Sequence, residues 1–339
     1  MSEKATVIVT PRTGALTFGE PFPLSWTRVY FRKSLDEICN YLEVETDPAE
    51  RRRIRTHDKL QIRLDNGHVD RAVVTGFVDD IDSQSSSRKK TMKVTARSAA
   101  RDLIDSTWSG SIGKPKTLLG IVTQIAKPFG INVYHIPQSP DGTKLVQAFE
   151  WENESPWQKL IQEADNQGYL ITSNQIGALY VWPVATSQRL EGFSIVEGSG
   201  VVSIRDHESG SEQFNTYVFN GADKTATRTD TACRTSRMLT LNLTDKELDA
   251  AALDRRIKTE VLRRRNRRLT IGVKNWGLPE VTLSKMTTFK DKEVLWEINF
   301  FTPVKLPSMG IDTTMLVSQV EGRADARSME CDIQLASPE

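Results

Sequence analysis

Apolar residues alternate with polar ones at both ends of this chain, and only in the interior does their spacing become helical. Met329, Cys331, Ile333 and Leu335 place every second side chain on one face, which suits a strand packed on a core. Leu60, Ile62 and Leu64 repeat the pattern, and Asp65-Asn66-Gly67 follows as a hairpin turn signal with a return strand over 72–79. Residues 5–10 are β-rich as well. The serine-rich, charged stretch 82–90 reads as an exposed hairpin loop, 92–95 resumes a strand, and 97–104 reads as a short helical turn.

The interior obeys a different period. Leu118, Ile121, Val122 and Ile125 occupy one helical face, which Pro128 and Gly130 terminate. A second helix opens at Ser155-Pro156, where serine caps and proline takes the first helical position. Its expected apolar face is Trp157, Leu160, Ile161 and Ala164, ending at Gly168, and a hairpin over 169–172 and 178–182 follows.

Strands return at 216–220 and 238–243. Thr244 and Glu247 then form a capping box, and Ala250, Leu253, Ile257 and Val261 make an apolar stripe. Further strands are expected at 269–273, 294–301 and 314–320. The order is therefore β, then α+β, then β with a helix inserted.

A chain of 339 residues can hold two or three domains. Its 45 basic and 44 acidic residues leave a net charge of +1, whereas a protein that coats phosphates carries a large positive excess. Cys39, Cys233 and Cys331 are few, odd in number and far apart, which suits a reducing cytoplasm rather than a disulfide framework. The N-terminus lacks an apolar signal core, and no stretch approaches the roughly 18 apolar residues of a spanning helix.

Catalytic motifs are missing. His57, His68, His135 and His207 stand alone without ligand spacing, and there is no glycine-rich phosphate loop, nucleophile elbow or CxxC pair. Asp79, Asp80 and Asp82 lack the loop pattern of a calcium site and read as a solvated strand end. Trp151, Trp157, Trp182, Trp276 and Trp296 read as core residues. No cofactor or metal is expected.

The basic run is the one motif with competing readings. Helical spacing spreads Arg255, Arg256, Arg263, Arg264, Arg265, Arg267 and Arg268 around the non-core arc, and aromatics for base stacking are absent there. A solvated face and an inter-subunit surface both rank ahead of nucleic-acid binding, because arginine's planar fork and weak hydration suit interfaces.

Four segments together resemble the baseplate hub or tail protein of Mu-like contractile-tailed bacteriophages. That family is related in fold to the hub of T4-like phages and to the head of type VI secretion spike proteins. The first segment joins Val74-Thr-Gly-Phe-Val-Asp-Asp80, Lys93-Val-Thr-Ala-Arg97 and Asp102-Leu-Ile-Asp105. The second spans 118–133 with Lys127-Pro-Phe-Gly-Ile131, and the third spans 149–182 with Glu154-Ser-Pro-Trp157 and Gly168-Tyr-Leu-Ile171. The fourth joins Leu295-Trp296, Pro303-Val-Lys-Leu-Pro307, Gly310-Ile311, Leu316-Val317 and the last alternating strand. Residues 206–238 fit least well.

The resemblance implies two tube-type β-barrel domains, 1–105 and 185–339, flanking a small α+β domain, 106–184, with a helix at 245–268 inserted in the second barrel. It implies a homotrimer whose six barrels form a pseudo-sixfold ring, joining the tail tube protein to the central spike protein beside other baseplate proteins. DNA would be only transient cargo in the lumen. The protein would be a non-enzymatic part of the virion tail baseplate, assembled in the host bacterial cytoplasm. The inserted helix would then turn its stripe to its own barrel, and Arg263, Arg264, Arg265, Arg267 and Arg268 would face solvent or a neighbouring subunit. The rivals are a nucleic-acid-binding module using the 255–268 helix and a tail-associated cell-wall hydrolase.

Overall fold

The computed structural model describes residues 4–65, 70–86, 90–113, 116–135, 145–146, 149–183, 194–209, 211–221, 224–231, 233–243, 250–264, 267–274, 276 and 295–336. The first unit contains β1 (Lys4–Thr10), β2 (Phe22–Pro23), β3 (Arg28–Ser34), β4 (Tyr41–Thr46), β5 (Lys59–Asp65), β6 (Asp70–Ser85) and β7 (Lys90–Arg97), and α1 (Arg101–Asp105) leads out of it. Strict alternation builds it. Val7, Val9, Val29, Phe31, Leu42, Val44, Leu60, Ile62 and Val94 are buried, while their sequence neighbours face outward. The 82–90 loop expected from composition is shorter than that: β6 pairs with β7 through Ser85↔Lys90, so polar residues extend the hairpin as an exposed ribbon.

The middle unit follows the helical signals closely. It comprises β8 (Trp108–Ile112), β9 (Lys116–Thr117), α2 (Leu118–Ala126), β10 (Val133–His135), β11 (Leu145–Val146), β12 (Phe149–Glu154), α3 (Pro156–Gln167), β13 (Tyr169–Ser173) and β14 (Leu179–Pro183). The Thr117 hydroxyl accepts the amide of Gly120 to cap α2, and the Ser155 hydroxyl accepts that of Trp157 to cap α3. Gly168 ends α3 at φ +72°, a left-handed turn that costs glycine little. Trp157, Leu160 and Ala164 bury into the unit's own core, but Ile161 is 40% exposed and leaves the expected face.

The third unit holds β15 (Ile195–Val196), β16 (Val201–Glu208), β17 (Thr216–Gly221), β18 (Thr225–Thr229), β19 (Met238–Leu243), α4 (Ala250–Arg264), β20 (Arg267–Lys274), β21 (Phe301–Leu306), β22 (Ile311–Asp325) and β23 (Met329–Ala336). The strand expected at 294–301 begins only at Phe301. Residues 295–300 carry no more than an isolated bridge, and Asn299 sits at φ +65°. The Thr244–Glu247 capping box lies outside the described residues.

Sheet connectivity joins the outer units. Strands run β16-β20-β23-β22-β3-β4-β7-β6-β5-β1-β2 in a single sheet, with β21 and β15 added beside β22. The link is the antiparallel β22–β3 ladder, from Gln319↔Ser34 to Asp325↔Arg28. One continuous apolar core serves both sides of it, from Val7 and Phe31 to Ile271 and Ile333.

The inserted helix packs elsewhere than its own barrel. Leu253, Ile257 and Val261 bury against Tyr217 and Phe219 of a separate three-stranded sheet, β18-β17-β19, with a core of its own. This corrects the expected docking of the stripe: the strands at 216–220 and 238–243 are not part of the large sheet but the platform for α4. The helix also stops sooner than expected, since Arg267 and Arg268 open β20.

Candidate assembly surface and unit junctions

Two polar knots join the units, and a third braces the exit of the first. The first lies beside the β3–β22 seam. Lys33 on β3 is 1% exposed, and its ammonium meets the Glu297 carboxylate at 2.5 Å. Gln175, in the turn between β13 and β14, donates to the same Glu297 oxygen at 2.7 Å. One carboxylate therefore ties together residues from all three units. A buried ammonium without that partner would carry a large desolvation cost.

The second knot joins the first unit to the middle one. The Asn40 amide donates to the carbonyls of Ser173 and Asn174 at 3.2 and 3.1 Å, and its backbone N–H reaches the Ser98 hydroxyl. The hydroxyls of Ser98 and Ser173 lie 2.7 Å apart, so all these buried groups are paired.

The third is a buried guanidinium at the exit of the first unit. Arg101 is 2% exposed and donates to the carbonyls of Phe77 and Val78, both at 3.0 Å, and to the Asp79 carboxylate. Its Nη2 lies 2.9 Å from His57 Nδ1. Arginine has only donors, so Nδ1 accepts and the imidazole proton sits on Nε2. Arg97 closes the network, meeting Asp79 at 2.6 Å and Asp105 at 2.5 Å. Those bonds, to Asp105 first and then Asp79, hold its guanidinium above its ordinary value. Asp79, expected at a solvated strand end, thus lies within β6 and is paired with two arginines.

The basic run divides among different roles. Arg264 meets Glu260 at 2.5 Å and stacks 5.3 Å over the Phe214 ring, while Arg256 contacts the other oxygen of Glu260 at 3.0 Å. Two arginines are thereby directed at one nearly buried carboxylate on their own helix. Arg263 lies on the last turn of α4, and Arg267 and Arg268 sit in β20 opposite Glu208 and His207. Arg268 is exposed, and Arg265 lies outside the described residues. The five arginines therefore do not form one helical face.

An open groove of about 530 Å³ lies where β4, β3, β22 and β23 meet. Tyr30, Glu43, Glu321, Asp325 and Glu330 line it beside Arg28 and Arg323. Burial, followed by the neighbouring Glu321 charge, pushes the Tyr30 phenol up to about 12. Asp325 stays low because its carboxylate accepts the amides of Arg327 and Ser328.

Among the described residues no cluster of three or more His, Cys, Asp or Glu side chains could hold a metal. The buried thiols of Cys39 and Cys331 are each pushed up to about 12 by desolvation, which leaves them poor nucleophiles. No described helix is long and apolar enough to cross a membrane. The knots built on Lys33, Asn40 and Arg101 were not legible as motifs, since each pairs residues far apart in sequence. Isolated glycines within strand patterns, Gly76, Gly272 and Gly322 among them, are the local signals of close approach.

A seam-joined pair of β units with a small α+β unit beside them is a fold shared with solved tail proteins. A 43 kDa tail protein of prophage MuSo2 from Shewanella oneidensis is similar with a TM-score of 0.78, at 22% identity over 99% of each chain. A tail protein from Neisseria meningitidis MC58 is similar at 0.75, with 16% identity over 99% of this chain and 97% of its own. A more distant likeness is a type VI secretion component from E. coli, described as resembling T4 bacteriophage tail proteins gp27 and gp5. It scores 0.58 at 10% identity, over 94% of this chain and 74% of its own. No family model matches the chain, and no curated protein matches its sequence.

Proposed function

We propose that the chain is a structural, non-enzymatic hub in the baseplate of a phage or phage-derived contractile tail. Three copies form a pseudo-sixfold ring that joins the tail tube protein to the central spike protein, beside other baseplate proteins, with a lumen for DNA passage. Assembly takes place in the host bacterial cytoplasm, and the product resides in the virion tail. In this reading residues 1–105 and 185–339 are the two barrels of each copy and 106–184 the intervening α+β domain.

The observation that carries the reading is the β3–β22 ladder, which sets two β units of one chain side by side in one sheet. Three such pairs supply six units, matching a sixfold tube from a threefold ring. The likeness in fold to prophage tail proteins supports the same conclusion.

Electron microscopy and native mass measurement test it: a ring of three copies is expected, and a stable monomer at high concentration would overturn it. Arg263, Arg264, Arg265, Arg267 and Arg268 are proposed as an inter-subunit contact. Reversing Arg265 and the exposed Arg268 to glutamate, with Arg264 left on Glu260, then impairs ring assembly, whereas solvated arginines would leave it intact.

A further inference from the structure

A second basic run occupies one end of the first unit. Arg51, Arg52, Arg53 and Arg55 fall within five residues, all exposed, around the fully buried Ile54. The loop is held rigidly. Asp47 caps its 3-10 turn, Pro48–Arg52, and the buried Asp58 carboxylate accepts the amides of Arg12 and Arg55, both at 2.8 Å. That carboxylate pins the neighbouring loop after β1 alongside.

The cations here are mostly not neutralised by carboxylates. Arg51 donates to the Ile54 carbonyl at 3.0 Å, and Arg12 to the carbonyls of Gly14 and Ala15. Among the described residues, Arg53 alone of the loop arginines meets a carboxylate, Glu50 at 2.8 Å. On the neighbouring loop after β1, Leu16 and Phe18 are 56% and 41% exposed, and Phe18 is bridged to Arg12. Two aromatic faces are already taken, with Arg53 lying 4.2 Å over Phe22 and Arg12 5.9 Å over Phe77. Exposed apolar side chains close to this basic loop, with the Phe22 and Phe77 rings already covered by arginines and only Phe18 left open, fit a protein surface better than a nucleic acid, which needs a run of free rings.

The chain itself carries the complementary surface. Net charge is only +1, so a loop this basic requires compensating acidity elsewhere. The groove at the β3–β22 seam supplies Glu321 and Glu330, beside Glu43, which meets Lys93 at 2.7 Å, and Asp325, whose carboxylate accepts the amides of its own turn. Its two arginines are each turned to a further carboxylate, Arg28 to Glu45 and Arg323 to Asp332. Both surfaces lie at the same end of the sheet. Asp325 pairs with Arg28 and Arg28 with Glu45, while the arginine turn begins at Pro48. Rotation about an axis along the strands keeps each surface at its height, so two different patches at one end can meet head to tail.

We infer that the 51–55 arginine loop of one copy docks against the Glu43–Glu321–Asp325–Glu330 groove of the next. This rests on the ring reading above and names one of its contacts. Native mass measurement of the full chain tests it. Arg52→Glu with Arg55→Glu, and separately Glu321→Arg with Glu330→Arg, should each weaken assembly at least about tenfold, the scale of a lost charge contact. A chain carrying all four reversals should regain it. The neutral pair Arg52→Gln and Arg55→Gln gives a milder loss if the reversals unfold the chain, as circular dichroism would report. Wild-type assembly untouched by the loop reversals overturns the inference but leaves the ring standing. Loss on loop reversal without recovery in the four-fold variant also overturns it, assigning the loop to another acidic surface. A monomeric wild type overturns both.

Discussion

Gly322 faces Phe31 across the β3–β22 seam, and a Cβ added there would lie 2.1 Å from the phenylalanine ring. The ring cannot retreat. It packs edge-on against Trp276 at 5.1 Å, and Trp276 is fixed by donating to the carbonyls of Arg323 and Glu330 at 3.3 and 2.9 Å. Gly322→Ala should therefore cost about 1–3 kcal/mol, the usual penalty for overpacking a core. Denaturant midpoints measure it, and a variant as stable as the parent would remove the steric account of the seam.

Lys33 supplies a second test of the junction. Lys33→Met removes the buried ammonium but leaves Glu297 with Gln175. Breaking a buried pair from one side costs about 3–5 kcal/mol, with the lower end expected here because Glu297 is partly exposed. The pair Lys33→Met and Glu297→Gln should lose less than the two single changes added together, by more than about 0.5 kcal/mol. Additive losses would mean that the two residues act separately.

Local signals in the sequence identified elements, and long-range pairing escaped them. Ser155-Pro156 and Gly168 mark α3 because cap and stop chemistry is written in adjacent residues. β23 is legible from its own alternation. The β22–β3 ladder is different: Val320 and Lys33 become neighbours only through the register of strands nearly a chain apart. Nor could periodicity choose the partner of α4. Leu253, Ile257 and Val261 are an apolar stripe that suits any apolar platform, and the small sheet rather than the barrel provides it. Ile161 followed the helical period yet lies at the rim, since four apolar positions on two turns of α3 exceed the width of the buried face.

Tyr30 gives the groove a pH signature. Its phenol is raised from 10.0 to about 12, so the folded state favours the neutral form. That contribution to stability is complete below the ordinary tyrosine value and is lost as pH rises through about 12. Cys39 and Cys331, raised to about 12 from 9.0, act in the same direction. Tyr30→Phe should accordingly lose less stability than the parent between pH 10 and 12, as urea midpoints across that window would record. Identical pH profiles would show that the phenol is not shielded beside Glu321.

The helix α4 should unfold separately from the large sheet. Its contacts with Tyr217 and Phe219 form a cluster distinct from the core that runs through Phe31 and Ile333. Ile257→Ala removes the central member of the stripe and should cost about 2–5 kcal/mol, the range for deleting a buried aliphatic side chain. The loss should stay local, because opening free energies differ between cooperative units of one chain. Hydrogen exchange is the suitable measurement: protection should fall in α4 and β17 while β3, β22 and β23 keep theirs. Equal loss of protection in β3 and β22 would mean that the small sheet and the seam form one cooperative unit.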